Sequence, residues 1–488
     1  MIPRLHMTLL AAAITLAGCS FAPSTKPPAP PSPEHYAVTP TPADSVESGG
    51  VAQHFDTVMH PVPDWWRLYG SDTLDAWVDE GLRNNASLDA ARHTLEAAHQ
   101  QFRAQVGNTA WPSLDAQGQA SRQRDLGLPK FGPPTSIYNV FAGQLSLNYT
   151  FDLFGATRYG IKQAAAQVDQ QAFQLDGARR ALAANIVITA VNASSLAEQL
   201  DATTRLAALA HEQAELTEKS YALGAASHDD VLTAQQNAAA LDASVPPLRF
   251  QLERTRHLLA VLMGRTPDQA PEPLLLAQLK LPDRVPVNVP SELLSQRPDV
   301  RAAEAAVRAA SAQVGVATAN MFPHVSLSAS LGSASFKDSQ LFTGSTSIWG
   351  VGLSLAQPIF HGGALRAQRK GAIAEYDASV SLYRQTVLNA FQNVADTLTA
   401  LQQDALALQA AQAAFGAAGQ SHADTQSRYR LGAVSYPATL LSEQRWQNAR
   451  LTDIQASAAR LIDTAALYQA MGEPPETMQG VASNEAGR

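Results

Sequence analysis

The chain has 488 residues, 45% of them hydrophobic, which is enough for two or three ordinary domains. Its formal charge of −8, from 35 basic and 43 acidic residues with no dense basic run, argues against nucleic acid as the main partner. One cysteine excludes an internal disulfide and any cysteine-built zinc cluster, and no run of about 18 consecutive apolar residues marks a membrane-crossing helix. A membrane-spanning barrel stays open, because its strands are short and only half apolar.

Residues 1–18 read as an export signal. Arg4 supplies a positive charge, and residues 7–16 (MTLLAAAITL) form an apolar stretch too short to cross a bilayer. It ends at Leu16-Ala17-Gly18-Cys19, where small residues before the only cysteine look like a bacterial lipobox. On that reading Cys19 becomes the first mature residue and carries diacylglycerol on sulfur and an acyl chain on its amine, a stable anchor where one chain would be marginal. The alternative is a signal peptide with an incidental cysteine. Ser20, not Asp, follows, and the likeness to such lipoproteins implies sorting to the outer membrane. The segment 19–63 holds ten prolines from Phe21 onward and is expected to run extended over the surface.

Self-comparison is the next signal. Trp111-Pro112 precedes an alternating segment, and so does Phe322-Pro323, 211 positions later. Phe154-Gly155 recurs as Phe360 to Gly362 after 206, and Tyr221-Ala222-Leu223-Gly224 returns as Tyr429-Arg430-Leu431-Gly432 after 208. The chain therefore divides into a first repeat, 64–265, a connector, 266–298, with seven prolines, a second repeat, 299–471, and a tail, 472–488.

Each repeat carries two strand candidates. In 140–152, Phe141, Gly143, Leu145, Leu147, Tyr149 and Phe151 alternate with small or polar residues, and 348–357 and 324–331 alternate in the same way. The candidate 113–121 is weaker, with Leu114, Ala116, Gly118 and Ala120 on its apolar side. Runs of about 9–11 residues match tilted strands crossing a bilayer. A half-buried soluble sheet also produces such alternation. Here the polar side is mostly Ser, Gln, Asn and Gly, which suits a water-filled lumen. The joining segments 123–138 and 336–346 read as exposed loops.

The remainder reads as helix. No proline interrupts 155–245 or 359–436. From Ile373 through Val380, Val387, Val394, Leu401 and Leu408 to Phe415, apolar residues recur at steps of three and four, and Val168 to Leu200 repeats the pattern. A helix of about 65 residues would reach roughly 100 Å. Gly224 and Gly432 mark helix stops, with second helices after Ser227 and after Pro437, giving two helical hairpins with exposed tips.

Four strands cannot close on themselves, and in lipid every edge amide must be bonded; closed barrels need about eight strands or more. The chain must share its barrel with copies of itself. Two chains give a lumen filled with side chains and three give one wide enough for water. The serine- and glycine-rich face favours the wider ring, but this reasoning reaches a cyclic oligomer and not its number.

The segment Arg297-Pro298-Asp299-Val300-Arg301-Ala302-Ala303-Glu304, continuing to Ala319-Asn320-Met321-Phe322-Pro323, resembles the outer-membrane efflux factors of the TolC superfamily. With Cys19 and Asp64-Trp65-Trp66 it resembles the lipoprotein, NodT-like branch. That resemblance covers roughly 64–471. It implies a mainly α protein with a membrane β-barrel: a homotrimer whose twelve strands, four per chain, continue into a long periplasmic α-helical barrel. It also implies a periplasmic adaptor (membrane fusion protein) and an inner-membrane RND pump as partners, contact with outer-membrane lipids, and passive export of drugs or other small toxic compounds.

The family's periplasmic end is closed by hairpin tips carrying carboxylates and a tyrosine. Tyr429, Leu431 and Gly432 match the second tip. Where relatives carry Asp after Thr-Leu-Leu this chain has Ser442, with Glu443 next to it, and Asp229 and Asp230 occupy the equivalent stretch of the first tip. Asp229, Asp230, Tyr429 and Glu443 are thus the gate candidates, although the two aspartates could simply favour a helix N-terminus. Leu223, Gly224, Leu431 and Gly432 are the adaptor-contact candidates. No phosphate loop, nucleophile elbow or His-Glu-x-x-His motif occurs, so no enzyme activity, cofactor or metal is expected. Two further readings stand beside the efflux duct: an exit duct for type I protein secretion, and a structural coiled-coil envelope lipoprotein.

Overall fold

In a computed structural model of the chain, the described residues are 22–23, 29, 35–36, 42–56, 62–126, 135–287, 297–341 and 343–471. Cys19, the export signal and the tail 472–488 lie outside them. Helix accounts for 69% of the structure. In chain order come strand β1 (His54–Asp56), helices α1 (Asp72–Asn84) and α2 (Ala86–Ala110), strands β2 (Ser113–Leu126) and β3 (Thr135–Phe151), and helices α3 (Ala156–Ala222) and α4 (His228–Leu262). Then follow β4 (Arg284–Pro286), α5 (Pro298–Ala319), β5 (His324–Ser335), β6 (Ser347–Ala356), α6 (Ala364–Arg430) and α7 (Tyr436–Met471).

The repeat is closer than the landmarks suggested. Helices α3 and α6 are both 67 residues long, and each end is displaced by 208 positions from its counterpart. The first two strands are longer than the alternation indicated. β2 continues to Leu126 and β3 begins at Thr135, so every described residue of the expected loop 123–138 is strand. Strands need only paired backbone, and the Arg122–Asn139 to Leu126–Thr135 pairs extend the ladder where side-chain alternation has faded.

Two compact units divide the chain, and each draws on both repeats. The first comprises Met1–Ala29, Thr94–Ala172 and Ala302–Arg384 and contains an antiparallel sheet in the order β2-β3-β5-β6. The stacked rings of Phe154 and Phe322, 4.9 Å apart, join the ends of β3 and α5. At the start of α3 the Asp152 carboxylate accepts from the backbone N–H of Thr157 (3.2 Å) and Arg158 (2.9 Å), a cap for the helix.

The second unit, Pro30–His93, Phe173–Arg301 and Gln385–Arg488, holds the helical core and the parallel pair β1-β4. The heptad-like seam of α6 is its spine: Val387, Val394, Leu398, Leu401, Ala405, Leu408 and Ala411 are all buried. Ile373 and Phe415, at the ends of the seam, are half-buried. An 18-residue window of α3 reaches a mean hydropathy of 1.3, but 61% of it is buried within the chain, so helix packing accounts for its apolar character. Helix α4 runs through Pro246 and Pro247 without ending, although each proline removes a backbone donor.

Gly332 in β5 is the tightest point of the sheet. A Cβ there would fall 2.4 Å from the Gly143 carbonyl oxygen and 2.6 Å from Gln144 Cβ. Gly332→Val is expected to push β3 and β5 apart and to destabilise the sheet by about 1–3 kcal/mol, as overpacking does. The check is the thermal midpoint of the strand signal by circular dichroism, and an unshifted midpoint would show that the strands part without strain.

Candidate functional site

The strand register sorts the side chains of the sheet onto two faces. Leu114 lies opposite Leu147, and Ala116 opposite Leu145. Leu145 also pairs with Leu331 and Tyr149 with Leu327, while Leu331 pairs with Trp349 and Leu327 with Leu353. All four strands therefore put their apolar residues on one face, and that face is open in the single chain: Trp349 is 76% and Leu355 71% exposed. The opposite face carries Gln117 against Gln144, Ser146 against Ser330, and Ser326 against Ser354. The Ser326 and Ser354 hydroxyls are 2.6 Å apart, and Gln144 Nε2 donates to Gln117 Oε1 at 3.4 Å. Strands β2 and β6 are the two edges, each with one side unpaired in the chain.

The hairpin ends are copies of one turn. At the end of α3, Gly224 N–H donates to Tyr221 O (2.9 Å) and Ala225 N–H to Ser220 O (2.8 Å); at the end of α6, Gly432 N–H donates to Tyr429 O (2.9 Å) and Ala433 N–H to Arg428 O (2.9 Å). Gly224 and Gly432 have φ of 75° and 72°, the left-handed region where a Cβ is strained. The exposed apices are Leu223 (85%) and Leu431 (84%). Tyr221 meets His228 with ring centroids 5.5 Å apart, and Tyr429 meets Tyr436 at 5.3 Å, so the aromatic contact is duplicated too.

The acidic candidates separate. Asp230 closes a capping box with Ser227: Ser227 N–H donates to Asp230 Oδ2 (2.9 Å) and Asp230 N–H to Ser227 Oγ (3.1 Å). Hydrogen bonds from the Ser227 side chain and then its backbone hold the Asp230 carboxyl below the usual range. Its position 208 residues on is Ala438, so the second tip lacks this acid. Asp229, in the same first turn, is exposed. Glu443 accepts from Arg205 Nε (2.9 Å) and Nη2 (2.7 Å), so its carboxylate is engaged in an ion pair. Ser442 donates to Thr439 O (2.7 Å), which leaves its oxygen to accept from His422 Nδ1–H at 2.9 Å.

Arg205–Glu443 belongs to a series that the sequence did not reveal. Tyr436 O–H donates to Glu212 Oε1 at 2.5 Å, Arg450 Nη1 to Asp201 Oδ2 at 3.2 Å, and Gln455 Nε2 to Gln199 Oε1 at 3.0 Å. These four contacts run antiparallel along α3 and α7. The hydrogen bond to Glu212 raises the Tyr436 hydroxyl above its usual pKa. The partners are more than 220 positions apart on different repeats, and only knowledge of which helices adjoin would have exposed them.

The two sequence motifs turn out to be fastenings in the second unit. Arg297 donates from Nε and Nη2 to Asp299 (3.0 and 2.7 Å) and from Nη1 to Ala470 O (2.8 Å), tying the start of α5 to the end of α7. Arg301 lies over the Phe173 ring at 4.1 Å. Trp65 stacks on Tyr468 at 5.1 Å, and Tyr69 O–H donates to Leu461 O at 2.7 Å. Among the described residues no group of three or more His, Cys, Asp or Glu side chains could hold a metal ion.

The family model for "Outer membrane efflux protein" matches residues 77–265 and 289–473. Nodulation protein T of Rhizobium leguminosarum bv. trifolii is 28% identical over 458 residues, 93% of each chain. The probable efflux pump outer membrane protein TtgC of Pseudomonas putida is 28% identical over 490 residues, 98% of each chain. Among solved structures, the outer-membrane channel OprN superposes with a TM-score of 0.77 at 27% identity, covering 92% of this chain and 99% of that one.

Arg297→Ala removes the partner of Asp299 and of the Ala470 carbonyl. Loss of about 1–3 kcal/mol is expected, chiefly from the Ala470 carbonyl left without its charged donor, because Asp299 is itself exposed. Arg297→Lys should recover only part of it, because an ammonium cannot reproduce the planar fork. Thermal midpoints of the two variants check this, and equal midpoints would refute the geometric account.

Proposed function

The chain belongs to the outer membrane efflux protein family and serves as an outer-membrane efflux channel reaching into the periplasm; from that premise we propose that three copies close one twelve-stranded barrel over a periplasmic barrel of helices. The carrying observation is the sheet, apolar on one face, lined with Ser, Gln, Asn and Gly on the other, and open at β2 and β6. Pairing β2 of one copy with β6 of the next satisfies both edges and turns the apolar face to lipid and the polar face to water. Three copies make a ring wide enough for an aqueous passage, where two would leave the interior filled by side chains.

In this reading the mature chain begins at Cys19, is acylated there, and consists of the Pro-rich segment, two repeats (64–265 and 299–471), their connector and a tail. A periplasmic adaptor and an inner-membrane RND pump supply substrate and energy, since the duct has no energy source of its own, and drugs or other small toxic compounds leave through it. Leu223, Gly224, Leu431 and Gly432 are the proposed adaptor contacts, favoured by their exposure at duplicated apices. Asp229, Asp230, Tyr429 and Glu443 are the proposed gate residues, with different parts. Asp230 fixes its helix start, and Glu443 acts through Arg205, as one rung of the α3–α7 series. Two rungs, Arg205–Glu443 and Arg450–Asp201, are ion pairs in reach of solvent and contribute about 0.2–1 kcal/mol each, and the other two are single hydrogen bonds worth about 0.5–3 kcal/mol, so each rung is weak enough to be broken and remade.

Planar-bilayer recording tests this reading. Purified protein should conduct and run as a trimer, and a stable non-conducting monomer would overturn it. Arg205→Ala with Tyr436→Phe should raise the resting conductance several-fold without loss of trimer, and an unchanged conductance would remove the rungs from the gate. Cys19→Ser should abolish labelling by radioactive palmitate, and persistent labelling would refute acylation at that residue.

A further inference from the structure

The apolar face of the sheet does not stay apolar along its whole length. Helices α2, α3, α5 and α6 all join the same end of the strands, and toward the other end that face turns polar. Moving away from the helices, Phe141 on β3 gives way to Asn139, Leu331 on β5 to Ser333 and Ser335, and Trp349 on β6 to Ser347. On β2 the change is sharper. Leu114, Ala116, Gly118 and Ala120 are succeeded on the same face by Arg122 and Arg124, which stand opposite Asn139 and Ile137.

Both arginines are exposed. Arg124 donates from Nε and Nη2 to Thr135 Oγ1 at 3.2 and 3.1 Å, a neutral acceptor, and among the described residues neither guanidinium meets a carboxylate. Asp125, the next residue of the strand, belongs to the opposite face because successive side chains alternate. Two uncompensated positive charges therefore stand on the face that the channel reading turns to lipid. An arginine there costs about 2–4 kcal/mol at the bilayer midplane and about 0–1 near the interface, so its height decides what it meets. From Leu114 to Arg124 the strand climbs about 34 Å, or about 26 Å along the bilayer normal at a tilt of about 40°. That equals the apolar band of about 25 Å, and puts both guanidiniums among the headgroups of the leaflet farther from the helices, the outer one.

We propose that Arg122 and Arg124 form a binding site on the outer wall of the barrel for a phosphorylated glycolipid of the outer leaflet, one site on each chain; this rests on the channel reading, which sets that wall against lipid. Side chains two residues apart on one face have roots about 7 Å apart, so two planar forks converge on a single phosphate and hold it by paired hydrogen bonds. Charge selects the class of lipid. A phosphate monoester on a sugar carries about −1.5 to −2 at neutral pH and matches two guanidiniums, whereas the phosphodiester of a glycerophospholipid carries one charge. The apolar residues below the arginines, Leu114 on β2 and Leu145 and Leu147 on β3, give the acyl chains their wall.

Native mass spectrometry of the full-length protein in a non-ionic detergent, titrated with lipid A, tests this. The wild type should retain up to three lipids per trimer, and the double variant Arg122→Gln, Arg124→Gln should bind at least about tenfold more weakly, as loss of charged hydrogen bonds requires. The double lysine variant, which keeps both charges without the forks, should fall between them. Lipid A stripped of its phosphates should bind the wild type no better than intact lipid A binds the glutamine variant. Equal retention by wild type and glutamine variant, or by intact and stripped lipid, would overturn the site. Phosphatidylglycerol bound as tightly as lipid A would overturn the choice of a glycolipid. The same spectra show the oligomer: monomers alone would sink the ring itself, whereas trimers without phosphate-dependent binding would sink only this site.

Discussion

A peptide group left without a partner in hydrocarbon carries a penalty of several kcal/mol, and strands β2 and β6 each present a row of them along one side. No rearrangement within the chain removes that penalty, because four strands cannot bend round to meet. The family membership makes the consequence functional: the sheet is part of a channel whose wall is completed between molecules in the proposed ring. Side-chain sorting then follows from period two alone. In the proposed ring the apolar face meets lipid and the Ser-, Gln- and Gly-bearing face encloses water.

The helical part obeys a different economy. Deeply buried aliphatic residues along α6 supply the cohesion, since burial of a single such side chain outweighs an exposed ion pair. The polar contacts from α3 to α7 add orientation more than strength. Such a division suits the proposed gate, because the core seam can stay intact while weak surface contacts are exchanged.

Much of this was readable in advance where a residue's neighbours in sequence decide its role. The α6 seam, the glycine stops and the four strands are set by local sequence, and only the ends of β2 and β3 run beyond their alternation. Asp230 was seen to have two possible roles, and the capping box with Ser227 shows the local one in the structure. Glu443 was legible only as a gate candidate beside Ser442, and its partner Arg205, 238 positions away, was not. Distance along the chain likewise hid Tyr436–Glu212 and the hydrogen bond from Arg460 to the Ser48 carbonyl, 412 positions apart. Arg297 and Trp65 were visible as motifs, while their attachments to Ala470 and Tyr468 were not.

The equality of α3 and α6, residue for residue at an offset of 208, has a genealogical meaning. A gene encoding one repeat would yield a polypeptide with a single pair of strands and a single hairpin, and six such subunits would supply the twelve strands that the proposed ring draws from three fused ones. Fusion released the two copies to diverge. Asp230 stands in one copy and Ala438 at the matching position of the other, so the two hairpin tips of one chain differ in charge at that position.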